Sequence, residues 1–310
     1  MRITLLILST LILISCSKPD YLLLKEEAQA AYAEDRYDES IGHLKKILKK
    51  EPKNASYTLL MGQNLYHMGK AEESLPFIEK ALQLDPQYAE AFSARASYLS
   101  AEGDFRAALA DIRKAQNMQP GNPDFLITEG LIYKRAGKMD AALVSFGRAI
   151  ELEQENPRAY EERAFIHLSK LSYGDAILDL DRVVELGDAN SRTYINRGYA
   201  RMEITADSLA LLDFEKALEL AEDKEARGIA YNNLGNIKMI LGDVEAAYQD
   251  INAGIVLDPD NPYTYRNKAL VLIAMKRFTE ACDALSVSID LGFVKTYGNE
   301  VIELKEKHCK

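Results

Sequence analysis

Apolar residues along this chain recur at spacings of three and four, in blocks of about three turns separated by short breaks. The segment YNNLGNIKMILGDVEAAYQDINAGIVLDP, residues 231–259, shows the unit pattern: one block up to Gly242, a second up to an Asp-Pro stop. Each block has the period of an amphipathic helix, so the pattern predicts an all-α chain built from helix pairs.

The pairs return at a fixed interval. Pro52, Pro86 and Pro120 stand 34 residues apart, which puts proline at position 32 of a 34-residue unit. Units then begin at Tyr21, Ala55, Ala89, Pro123, Pro157, Ser191, Gly228 and Pro262, with three extra residues around Glu225 to Arg227. Position 8 is small in all eight units, alanine or glycine from Ala28 to Ala269. Position 20 holds Ser40, Ser74 and then six alanines. Position 24 holds a larger residue throughout, among them Leu44, Ile112, Phe214 and Ile251. Small residues let the two helices approach and the larger one fills the gap. Gly69, Gly103, Gly137 and Gly242 suit the left-handed end of a first helix. Asp-Pro ends the second helix, because proline cannot continue it. A single pair cannot bury its apolar stripe, so neighbouring pairs must stack.

This register resembles the tetratricopeptide repeat, across essentially the whole chain after its first twenty residues. The resemblance implies a superhelical solenoid of about eight helix-turn-helix repeats over 21–293. Residues 294–310 read as a polar capping helix of the kind that open solenoid ends require.

The first residues follow a different pattern. MRITLLILSTLILISC has a single basic residue, Arg2, and an apolar run too short to span a bilayer but suited to a signal-peptide core. Leu13-Ile14-Ser15-Cys16 resembles the lipobox of bacterial lipoproteins. That resemblance implies a signal peptide over 1–15, a lipid on Cys16 and a short tether over 16–20. The acyl chains would anchor the protein in a membrane. Ser17 after the cysteine favours the outer membrane under the enteric sorting rule.

Composition narrows the function classes. Of 310 residues, 47% are hydrophobic and the formal net charge is -10. An acidic surface repels a phosphate backbone, so nucleic acid is not the expected partner. There is no phosphate-binding glycine loop, no HExxH and no Gly-x-Ser-x-Gly. The histidines, His43, His67, His167 and His308, are scattered over different units. No catalytic constellation, metal site or cofactor is expected.

With Cys16 lipidated, Cys282 and Cys309 remain. Antiparallel packing of the last repeat against the tail would bring both to the same height, roughly 15–20 Å from the turn at ~1.5 Å per residue. The tail also resembles the ends of such lipoproteins from the Bacteroidota. A disulfide is the expectation; two unpaired thiols are the alternative.

The family's geometry places positions 2, 5, 9, 12 and 13 of each first helix on a concave face. In repeats 4 to 8 these include Ile127, Phe165, Ile195, Tyr199, Met202, Met239 and Tyr263, an unusually apolar set for a solvated groove. Arg158, Arg192 and Arg266 punctuate it, and Asn232 and Asn236 stand at positions 5 and 9 of repeat 7. In peptide-clamping members such residues hold the ligand's backbone or terminal carboxylate. Alternatively, the stripe is helix packing and Asn236 merely consensus. The expected function is a membrane-anchored scaffold that binds a peptide or a partner's helix. An assembly factor for an outer-membrane complex and a periplasmic enzyme accessory or polymer carrier are the other readings.

Overall fold

The computed structural model of the chain describes residues 20–309, so the signal-peptide segment, Cys16 and most of the tether lie outside the described residues. Among the described residues there are 18 helices and no strand. They fall into two compact units, divided between Ala136 and Gly137.

The first unit carries α1 (Asp20–Ala33), α2 (Tyr37–Lys50), α3 (Ala55–His67), α4 (Ala71–Leu84), α5 (Ala89–Ala101), α6 (Phe105–Met118) and α7 (Pro123–Arg135). The second carries α8 (Met139–Leu152), α9 (Pro157–Ser169), α10 (Tyr173–Glu185), α11 (Ser191–Glu203), α12 (Asp207–Leu220), α13 (Lys224–Ile240), α14 (Val244–Leu257), α15 (Pro262–Ala274) and α16 (Phe278–Asp290). It ends in α17 (Phe293–Tyr297) and α18 (Glu300–His308).

Helix starts follow the unit register from Ala55 to Ser191. The exception is α13, which begins at Lys224, with the Asp223 carboxylate accepting from the Ala226 N–H at 2.7 Å. The three extra residues thus lengthen a helix by almost a turn. Asparagine caps four other first helices, α3, α7, α11 and α15, by accepting a backbone N–H in the first turn.

Within each unit the core is a string of small clusters, each joining one pair to the next. Ile41, Leu44 and Ile47 of α2 meet Met61 and Leu65 of α3. Phe214 of α12 meets Leu234 and Ile237 of α13, and Ile251 of α14 meets Val271 of α15. Every position-24 side chain is buried. The residue that ends each pair's turn is left-handed in all eight repeats. Four are glycines, Gly69, Gly103, Gly137 and Gly242; the others are Asp35, Leu171, Thr205 and Lys276.

The tail is two short helices rather than one continuous helix. Gly298, at φ +93°, breaks it after Tyr297. Phe293 and Val301 are buried against Leu272 and Leu285, and α18 lies along α16. A disulfide joins Cys282 of α16 to Cys309, with the Cα atoms 5.7 Å apart.

Candidate partner-binding surface

In the second unit α9, α11, α13 and α15 stack in chain order, each first helix touching the next. Their buried faces carry the small position-8 residues against the second helices. On the outward edges lie Phe165 (48% exposed), Tyr199 (37%) and Ile240 (48%). Phe165 and Tyr199 occupy the same position in adjacent repeats. Ile195 is half-buried beside them, one turn before Tyr199. Met202 and Met239 are half-buried too, Met202 packed against the Phe214 cluster and Met239 against the Ile251 cluster. They form the floor of the surface rather than its exposed contacts.

Tyr199 is held in place from the side. Tyr173, the first residue of α10, meets it edge-on with ring centroids 6.0 Å apart. Hydrogen bonding with Tyr199, then burial and Glu203, raise the Tyr173 pKa above the ordinary tyrosine range. The edge-on ring contact is what braces Tyr199.

Arg158 and Arg192 begin α9 and α11, are exposed, and make no hydrogen bond or ion pair among the described residues. Arg266 differs from the sequence expectation. Both oxygens of Glu300 from α18 accept from its guanidinium, one of them at 3.1 Å, and Asn267 Oδ1 accepts a further bond at 2.7 Å. Its charge is spent on docking the tail. Tyr263 likewise faces the tail, stacked on Phe293 and close to Tyr297.

The asparagines are also placed differently from the clamp expectation. Asn232 and Asn236 are buried in the seams between repeats. Asn232 Oδ1 accepts from Asn267 Nδ2 at 2.9 Å, and Asn236 Nδ2 donates to Met202 Sδ at 3.5 Å. One polar atom of each is thus engaged by a neighbouring repeat rather than turned to the open face. Ile127, in the first unit, is fully buried and belongs to the core.

A set of buried ion pairs was not foreseen. Arg95 grips Asp111 and Arg163 grips Asp179, each through two nitrogens. Arg197 Nη2 lies 2.7 Å from Asp213, while Arg201 reaches both Asp213 and Asp181. Burial works against the Arg197 charge, but Asp213 and Asp181 outweigh it and raise its pKa. The signal was legible: arginine at position 7 and aspartate at position 23 of repeats 3, 5 and 6, always 16 apart. These pairs rivet first helix to second. Among the described residues no group of histidine, cysteine and carboxylate could hold a metal.

Models described as "Tetratricopeptide repeat" match residues 31–98, 93–152, 127–191 and 229–261. The chain belongs to the tetratricopeptide repeat family. Solved structures share its fold at low identity. The APC/C hetero-tetramer Cut9-Hcn1 is 19% identical, with a TM-score of 0.67 over 91% of this chain and 55% of that one. This chain thus spans about half the length of that relative. YrrB, described as a tetratricopeptide protein with an unusual peptide-binding site, is 18% identical, with a TM-score of 0.52 over 63% of this chain and 97% of that one. A tetratricopeptide protein from Parabacteroides merdae is 20% identical, with a TM-score of 0.51 over 81% and 98%. No curated protein sequence matches.

Proposed function

We propose that the second unit binds a segment of another protein on its first-helix face, and that a lipid on Cys16 tethers the molecule to a bacterial membrane, the outer membrane by the Ser17 rule. One observation carries the binding reading: Phe165, Tyr199 and Ile240 stay exposed on adjoining helices, while Arg163 and Asn232 of the same helices are engaged by Asp179 and Asn267. Exposed rings and aliphatic groups with a rigid footing are what a peptide or helix buries on docking. Arg158 and Arg192 along one edge favour an acidic or carboxylate-bearing segment with apolar anchors. The fold shared with YrrB is consistent with peptide binding.

The test is selection from a random peptide library against the full chain. Bound peptides should be enriched in large apolar residues with flanking acids. Phe165→Asp or Tyr199→Asp should weaken them tenfold or more without changing the melting profile, and Arg192→Glu should weaken the acidic ones. Selected peptides indifferent to all three substitutions would refute the site. The anchor is tested separately: Cys16→Ala should abolish incorporation of a fatty-acid probe.

A further inference from the structure

The second helices of the second unit carry their own apolar row. Val144 of α8, Leu178 of α10 and Leu212 of α12 are spaced 34 residues apart, at position 22 of successive repeats. They are exposed by 62%, 69% and 59%. A helix-pair repeat needs no large apolar residue there, and Gly42, Gln249 and Asp283 occupy that position elsewhere in the chain. Nothing in the binding reading above uses this row.

The charges beside Leu178 indicate what covers it. At 100° per residue, Arg182 lies one turn beyond Leu178, rotated about 40° to one flank. Asp175 lies about one turn before it, rotated about 60° to the same flank. Both are exposed enough to be re-paired. Arg182 rests on Glu185 at 3.0 Å, with a third of its side chain open, and Asp175 lies 3.9 Å from His167 Nδ1 with most of its side chain open. A two-fold axis lying across α10 at Leu178 reverses the helix direction but keeps the flank. It therefore sets Leu178 on its own copy and each Arg182 on the other copy's Asp175. An isologous contact requires this self-complementarity, and a different partner does not.

We infer that the α10 face, centred on Leu178 with Val144 and Leu212 to either side, is a contact between two copies of this chain. The contact is small, so the association is weak and concentration-dependent.

The test uses the full chain carrying Leu178→Cys, treated with a short bis-maleimide in intact bacterial cells. The unsubstituted chain and Glu225→Cys, an exposed residue on α13, serve as controls. Leu178→Cys should give a product of twice the chain mass and the controls should not. Adding Arg182→Asp or Asp175→Arg should lower that product at least threefold, and adding both should restore it to within a factor of two. Circular dichroism confirms that each variant is folded. No doubled product, an equal product from Glu225→Cys, failure of the double reversal to restore it, or a product with the mass of a different protein would each overturn the inference.

Discussion

A Cβ atom placed on Gly198 would stand 2.7 Å from Cε1 of Phe214, closer than real Cβ contacts come. Position 8 is small because position 24 already occupies the space. On Gly235 a Cβ would stand 2.3 Å from Ile251 Cγ1 and 3.0 Å from the Ala247 carbonyl oxygen, leaving less room still. Gly198→Ala is expected to lose stability although alanine is the better helix former. The propensity gain is about 1 kcal/mol, and overpacking costs about 1–3 kcal/mol. Gly235→Ala should lose more. Gly42→Ala, in a helix with nothing within 4 Å, should gain about 0.5–1 kcal/mol. Urea unfolding of the three variants gives the comparison.

The left-handed turn residue offers a gain. Thr205 adopts φ +61°, a conformation costly for a β-branched side chain. Thr205→Gly should raise stability by roughly 1 kcal/mol, the relief of strain exceeding the added freedom of the unfolded chain. Gly103→Val, at φ +84°, should lower it by a similar amount or more. Thermal melts of both would show opposite shifts.

The buried ion pairs should outweigh the exposed ones. Asp213→Ala removes the main partner of nearly buried Arg197, leaving it Asp181 alone, and also removes a partner of Arg201. The expected loss is about 3 kcal/mol. Glu39→Ala, which breaks an exposed pair with Arg36, should leave stability nearly unchanged. Equal effects would mean that the Asp213 network is as dispensable as a surface pair.

The Cys282–Cys309 bridge closes a loop of 27 residues. Chain-entropy reasoning gives it about 3–4 kcal/mol. Because contacts run only between neighbours, that stabilisation should stay local. In Cys309→Ser the amides of α18 should exchange faster while those of α9 to α12 keep their protection.

The periodic small and large positions were legible because they obey a rule internal to one helix pair. Positions 8, 20 and 24 meet within a repeat, so spacing alone locates them. Asn232, Asn236 and Arg266 could not be placed that way. Their partners, Asn267, Met202 and Glu300, come from neighbouring repeats or the tail, 34 or 35 residues away. Position numbers put these side chains on the first-helix face but do not say whether a neighbour takes them up. Phe165 and Tyr199, which stay partly exposed, share the same positional signature. The break at Gly298 was hidden by the helical spacing of Val301 and Leu304 beyond it.

The disulfide also decides how the chain carries a load. If one end is held at a membrane and a partner pulls on the other, tension reaching Cys309 crosses directly to Cys282. The residues enclosed by the bridge, including α17 and α18, drop out of the force path. About 90 Å of extensible chain, at ~3.3–3.6 Å per residue, is withheld from stretching. Rupture under load must then begin in repeats outside that loop, and the last repeat keeps its far end pinned while the others yield.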